Sequence, residues 1–447
     1  MRIDELEVVN FKLFAKDKFS FDGKFNLIIG ENGSGKTSLL RAVATALGGW
    51  AHSYIKDSKN RRPIEDSEIR EIQIDNSFDK SKNTSITANG RARIIDRFAN
   101  NKSCKAVWKR EKLEGNELTT IEGSIQYSGY SNWYSLNFDT LGSDILKYIE
   151  SGQKFDLPLI AFYECNRLWL PSNELNTVSS AKAKYSRFDP FVDCFHTGAD
   201  HEAVGEWILK HELASLQQQK ETPVLAAIKA AAKTSIEGCT GLNFDFEKSR
   251  IMVKFKDNTI TPFEHLSDGQ RTMLGLFCDL ARRAAILNPH LSGEANEKTT
   301  GVVLIDELDL HLHPKWQRSI IENLRKTFPK IQFICTTHSP FLIQSLREGK
   351  LIQLGSESDS QFFDESLEDI VEDIQGVELP QKSKRYKEMM SAAEEYYAAL
   401  SGAESQDNIE QLKNKLDELM IPFSDDPAFV AQLKFERETA LGKDKGE

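Results

Sequence analysis

Nowhere does this 447-residue sequence hold the 18 or more consecutive apolar residues that a membrane-spanning helix requires, so no membrane span is expected. Cysteine is sparse as well. Six are scattered (Cys104, Cys165, Cys194, Cys239, Cys278, Cys335) with no CxxC pair, which points away from a disulfide framework or a zinc ribbon and toward a reducing cytoplasm. The first residues, Met1-Arg2-Ile3-Asp4-Glu5-Leu6-Glu7, put acids where a secretory signal needs an apolar core. There is no internal repeat and no low-complexity tract. Positive charge is the minority sign, 57 Lys+Arg against 68 Asp+Glu for a net charge of −11. That balance argues against indiscriminate coating of nucleic acid but leaves room for a local basic patch.

What is present suits a soluble globular protein with a substantial core, with 40% apolar and 28% charged residues. The length suggests about three domains, or one large domain with an insertion. The pattern divides into residues 1–50, 51–250, 251–355 and 356–447. In the first region the apolar run Phe25-Asn26-Leu27-Ile28-Ile29 enters a glycine-rich turn, and Leu39, Leu40, Val43 and Leu47 then recur at helical spacing. This is strand, loop, helix. Residues 51–155 read as irregular with short strand-like stretches, 157–163 as a buried strand, and 199–236 as helical. Strands over 251–255, 302–305 and 331–336 alternate with helices around 269–287 and 314–327, which predicts a largely parallel sheet covered by helices. From Ser356 to Glu378 there are nine Asp/Glu and no Lys/Arg. Helices follow, one with Ile409, Leu412, Leu416 and Leu419 on a face, another expected to start at Asp425-Asp426-Pro427.

Four motifs carry chemistry. Gly30-Glu31-Asn32-Gly33-Ser34-Gly35-Lys36-Thr37 matches the phosphate-binding loop G-x-x-x-x-G-K-[ST] between a strand and a helix. Its glycines let backbone N–H groups from Asn32 to Ser38 converge on phosphate oxygens, Lys36 reaches the β- and γ-phosphates, and Thr37 ligates Mg²⁺. Val302-Val303-Leu304-Ile305-Asp306-Glu307 is an apolar strand ending in two acids, which would put Asp306 beside the Mg²⁺ and Glu307 beside the attacking water. Leu266-Ser267-Asp268-Gly269-Gln270 and Thr336-Thr337-His338-Ser339-Pro340 complete the set.

In this order the motifs resemble those of the ABC-type ATPases, whose signature loop is L-S-G-G-Q; here Asp268 stands at the third position. The resemblance implies an α/β P-loop head, a mixed sheet flanked by helices, with an inserted α/β region and C-terminal helices. It implies ATP and Mg²⁺ as cofactors, with hydrolysis to ADP and phosphate. It also implies a head-to-tail dimer in which Ser267, Gly269 and Gln270 meet the ATP held by the other subunit, with His338 as switch histidine and Asp309 in the loop coupling the two sites. His311 and His313 lack a third metal ligand nearby and read as structural. No Gln follows the 157–163 strand where the family's glutamine loop belongs.

Leu266 stands 229 positions after Thr37, too far for a transport cassette, and the interval has no sustained heptads of an SMC arm. After His338 only 109 residues remain, without the acid set of a Toprim nuclease. The run Asp306-Glu307-Leu308-Asp309-Leu310-His311-Leu312-His313-Pro314, and Leu157-Pro158-Leu159-Ile160-Ala161-Phe162-Tyr163 followed by Arg167-Leu168-Trp169, resemble the ATPases of the Septu antiphage systems, also found with some retrons. That resemblance implies a separate HNH nuclease as partner. A RecF-like ATPase of DNA repair, without a nuclease partner, is the alternative. From Lys80 to Lys112 there are ten Lys/Arg against Asp96 and Glu111, the best candidate surface for DNA or RNA and equally readable as a solvated loop.

Overall fold

A computed structural model describes residues 1–54, 62–74, 77–95, 101–115, 119–127, 131–165, 186–192, 194–195, 201–248, 250–355, 365–375, 384–401 and 406–420. The Arg167-Leu168-Trp169 and Asp425-Asp426-Pro427 motifs lie outside the described residues. The described chain divides into two compact units, Met1–Leu367 and Glu368–Glu447.

The first unit is built on two sheets. One is fully parallel, in the order β10 (Leu159–Tyr163), β14 (Gly301–Ile305), β15 (Ile331–Thr336), β3 (Phe25–Ile29), β16 (Lys350–Gln353). Every residue of β10, β14, β15 and β3 is buried, as expected for strands covered on both faces. The other is antiparallel, β2 (Phe14–Ser20), β1 (Arg2–Phe11), β6 (Asn83–Ile95), β7 (Asn101–Leu113), β8 (Thr120–Tyr127), β9 (Tyr134–Ser135). Residues 51–155 are therefore not irregular. They hold two 13-residue strands and the helix α2 (Phe138–Glu150), capped by the Asn137 side chain accepting from Asp139 N at 2.9 Å. A small pair, β4 (Glu71–Ile74) and β5 (Ser77–Lys80), accompanies them.

The helix α1 (Lys36–Tyr54) packs on both sheets, and most of its 19 residues are buried. Trp108 of β7 donates its indole N–H to the Ala46 carbonyl at 2.9 Å, and Trp50 meets Trp108 and Phe138 edge-on, with ring centroids 5.6 and 5.1 Å apart. Two further helices, α3 (His201–Gln218) and α4 (Pro223–Ser235), precede an antiparallel sheet of β11 (Cys239–Asp245), β12 (Arg250–Phe255) and β13 (Ile260–Pro262). The strand expected over 251–255 thus forms, but in a separate antiparallel sheet and not in the parallel one. The long helix α5 (Asp268–Leu287), then α6 (Pro314–Thr327) and α7 (Pro340–Ser345), complete this unit. No helix among the described residues is long and apolar enough to cross a membrane.

In the second unit α8 (Leu367–Gln375) precedes a helical pair, α9 (Lys384–Ser401) and α10 (Gln406–Met420). Met389, Ala392, Ala393, Tyr396 and Leu416 form its core, with Ile409, Leu412 and Leu419 packed against them. The stripe read from the sequence is the packed face.

Candidate nucleotide site

The C-terminal ends of β3, β14 and β15 lie side by side, the edge of a parallel α/β sheet where ligands bind. Beyond β3 the chain turns through Gly30, Gly33 and Gly35, with φ of 148°, 85° and 101°, conformations that L side chains rarely adopt. A Cβ on Gly30 would lie 2.6 Å from Ser34 Oγ and 3.0 Å from the Leu354 carbonyl oxygen, so a side chain has no room there. Helix α1 begins directly, with Leu39 N donating to the Gly35 carbonyl at 2.8 Å, which directs the helix N-terminus at the loop. The Lys36 ammonium donates to the carbonyls of Gly30 and Glu31, both at 2.8 Å. Its burial lowers its pKa, opposed by the nearby Asp306, Glu307 and Asp309 carboxylates.

Asp306 is buried, and its carboxylate is fixed from helix α1 and strand β15. Thr37 Oγ1 donates to it at 3.0 Å and Thr336 Oγ1 at 2.5 Å, while Asp306 N donates to the Tyr163 carbonyl at 2.8 Å. The same Thr336 hydroxyl oxygen accepts from Glu307 N at 2.7 Å. Glu307 has a φ of 48°, a left-handed conformation uncommon for a residue other than glycine, directly after Asp306. Asp309 accepts from Thr337 Oγ1 at 2.5 Å. His338 follows Thr337 in the loop leaving β15, and Ser339, which caps α7, donates to Gln317 Oε1 of α6 at 2.6 Å.

Ser267 caps α5: its hydroxyl accepts from Gln270 N at 3.4 Å, and Gln270 Oε1 accepts from Ser267 N at 3.1 Å. Asp268, standing where the ABC family has glycine, pairs with Arg271. Gly269 has a physical reason to be glycine, since a Cβ there would lie 2.5 Å from the His311 carbonyl oxygen and 3.0 Å from the Trp316 ring. The signature loop is thus pressed on the loop of Asp309 and His311. His313 accepts from Lys315 N at 3.3 Å as the cap of α6, and no cluster of metal-ligating side chains occurs among the described residues.

The fold therefore joins Lys36, Thr37, Asp306, Glu307 and Asp309 in one site, and sets Ser267, Gly269 and Gln270 at the start of α5, where Ser267 and Gln270 bond each other. Sequence reading missed Thr336, Thr337 and Gln317, which hold the acids and the histidine loop. It also missed Tyr163, whose buried hydroxyl donates to Asp279 of α5 at 2.7 Å. Burial would raise the Asp279 carboxyl, but Arg283 and Arg282, at 2.8 and 2.6 Å, outweigh it and hold it well below the usual carboxylate range. The threonines before His338 were a visible signal; nothing local marks Tyr163.

The site suits a nucleotide triphosphate with Mg²⁺. Thr37 and Asp306 supply hard oxygen donors 3.0 Å apart, the sparse protein ligation Mg²⁺ takes when phosphates and water fill its shell. Among the described residues the buried Ser34 hydroxyl, inside the loop, is one of the side-chain groups without a hydrogen-bond partner. Of the basic stretch, Trp108 and Arg110 are buried, Lys109 pairs with Glu111, Lys112 with Asp66 and Arg93 with Asp156. Arg91 and Lys105, opposite each other on β6 and β7, stay exposed.

The family model for the AAA domain matches residues 5–239, more than half of the chain. A second AAA-domain model, described by the AbiEii toxin and a type IV toxin–antitoxin system, matches residues 196–344. The "Retron Vc95 probable ATPase" of Vibrio cholerae is 25% identical over 401 residues, 81% of this chain and 75% of that one. The Septu protein PtuA of Bacillus thuringiensis is 25% identical over 441 residues, 94% of each chain. An SMC head bound to the C-winged helix domain of ScpA aligns over 80% of this chain and 96% of that one, with 14% identity and a TM-score of 0.45.

Proposed function

Because this chain belongs to the AAA-domain family of ATPases, we propose that it is the ATP-hydrolysing subunit of an antiphage defence assembly and controls a separate HNH nuclease. The observation that carries the reading is the Thr37 hydroxyl on the Asp306 carboxylate at 3.0 Å, with Glu307 held beside them by Thr336. In this reading the loop amides from Asn32 to Ser38 and the Lys36 ammonium bind the phosphates, and Thr37 and Asp306 hold Mg²⁺, which when bound offsets phosphate charge. Glu307 orients a water toward the γ-phosphorus. The water's oxygen forms the new P–O bond, the bond to the β-phosphate oxygen breaks, and the products are ADP and phosphate. His338 steadies the charge that develops on the γ-phosphate oxygens.

Ser267, Gly269 and Gln270 then serve the ATP held by a second copy, and Asp309 lies between the two sites. The resemblance to a retron ATPase and to Septu PtuA over most of the chain supports the defence setting. The partner is an HNH nuclease, drawn by the acids Glu368 and Asp369 of the second unit and Glu365 of the first; Asp364 lies outside the described residues. Nucleic acid would meet Arg91 and Lys105.

Mixing variants tests the shared site. Lys36→Ala and Ser267→Arg should each abolish hydrolysis, and their mixture should regain up to one working site per mixed dimer. A dead mixture in which mixed dimers demonstrably form would sink the head-to-tail arrangement. Phage plating on cells carrying this gene with that of an HNH nuclease partner tests the setting: protection should vanish with Glu307→Gln, whereas a repair role would leave plating unchanged and sensitise cells to DNA damage.

A further inference from the structure

Between α6 and α7 opens a cleft of about 480 Å³ that the ATP chemistry does not use. Arg318, Arg325 and Arg347 line it together with Glu322 and Glu348, over a floor that includes the buried Ile321 and the half-buried Phe341. The two carboxylates are not equivalent. Glu348 already pairs with Arg325 and, at 3.6 Å, with Lys24. The Arg318 guanidinium sits over the Phe341 ring, 5.2 Å from its centroid. A guanidinium held over a ring keeps N–H groups with which it can grip a carboxylate. Arg347, exposed at the end of α7, has no carboxylate partner among the described residues.

We infer that this cleft binds an acidic peptide segment of a protein partner, its carboxylates on Arg318 and Arg347 and an apolar side chain on Ile321 and Phe341. The volume falls in the range of small-ligand sites, so it admits a few residues of chain and not a folded domain. A nucleic-acid backbone fits poorly, because Glu322 and Glu348 interrupt the positive surface that successive phosphates need.

The cleft's walls are the two helices that bracket His338. Gln317, next to Arg318 in α6, accepts from Ser339, and Ser339 caps α7 directly after His338. A peptide clamping α6 to α7 acts on the segment that carries the histidine, so its binding changes ATP turnover; where it changes ATP affinity, ATP changes its affinity by the same factor. The binding stands apart from the ATPase reading; only the effect on turnover rests on it, and the two are read separately.

The test uses the full chain and a fluorescein-labelled peptide repeating Asp-Phe-Glu-Leu, followed by fluorescence polarisation at low salt. Saturable binding is expected, weakened about ten-fold or more by Arg318→Glu with Arg347→Glu, as for a docking charge turned repulsive. The same peptide with Asn and Gln for its acids should not bind. Thermal stability and ATP binding of the double variant should match the unaltered chain. Failure of the acidic peptide to bind, equal binding by the double variant, or equal displacement by an oligonucleotide would each overturn the assignment. Peptide binding that leaves turnover unchanged would keep the site and remove its link to His338.

Discussion

The two sheets that enclose α1 do different work. Four of the five strands of the parallel sheet are buried throughout, and three of them end in the chemistry: Ile29 leads into the phosphate loop, Ile305 into Asp306 and Glu307, Thr336 into His338. The antiparallel sheet buries one face and leaves the other to solvent, with Glu5–Lys18, Glu7–Lys16 and Lys109–Glu111 pairs on its outer side. Its inner face mixes aliphatic side chains such as Leu6, Val8, Ile86 and Ile125 with small ones. Ala88, Ala92 and Ala106 let α1 approach, and Trp108 anchors it. The phosphate loop is therefore held by its own sheet at one end and by a foreign sheet along the helix that follows it.

If that second support matters, truncating Trp108 should be as damaging as truncating a residue of the parallel core. Trp108→Ala is expected to cost ~3–5 kcal/mol, the usual range for emptying a buried aromatic site. Urea denaturation measures it, and ATP affinity should fall with it if α1 loosens. Phe333→Ala, in the parallel sheet against Phe25, supplies the reference. A loss under about 1 kcal/mol for Trp108→Ala would reduce the antiparallel sheet to a cover.

The contrast also explains what the sequence displayed. Strands buried on both faces are unbroken apolar runs, so β3, β14 and β15 stood out within a residue or so. In β6 and β7 the outward positions hold Thr87, Asn89, Arg91, Lys105 and Lys109, and the inward ones mix Ile86, Ile94 and Trp108 with Thr84, Ala88, Gly90, Ala92, Cys104, Ala106 and Arg110, so the alternation is there without the hydrophobic contrast that marks it. The same limit applies at the site. Lys36, Asp306 and His338 sit in contiguous motifs, whereas Thr336 acts on Asp306 across 30 positions and Tyr163 on Asp279 across 116, pairings only the folded sheet creates.

A smaller effect is expected where the parallel sheet meets the signature helix. Tyr163→Phe removes the hydroxyl from Asp279 and leaves that buried carboxylate one donor short, at about 1–3 kcal/mol. Turnover should drop more than ATP affinity if the contact relays the position of α5 to the strand edge. Equal effects on both would make it merely structural.

The smallest effect is on pH dependence, and it belongs to α3, outside both sheets. Burial, with Lys210 nearby, pushes His211 down from the ordinary 6.5 to about 4. The unfolded chain takes up a proton here that the folded chain refuses, so stability should fall as pH drops from about 6.5 toward 4. Its ring stacks on Trp207 and faces the Thr222 hydroxyl at 3.1 Å. His211→Gln should flatten that part of the stability–pH curve; an unchanged curve would place the proton uptake elsewhere.

Glu307→Gln probes the edge of the parallel sheet itself. The substitution keeps size and backbone, including the Glu307 N–H on Thr336, and removes only the charge assigned to the attacking water. Single-turnover and steady-state hydrolysis should both fall about 10²-fold or more, the scale of a lost positioned catalytic group, while ATP affinity and thermal stability stay as they were. Turnover within a few-fold of the unaltered chain, in protein freed of contaminating ATPase, would contradict the assignment of Glu307 and with it the reading of this edge as the hydrolytic site.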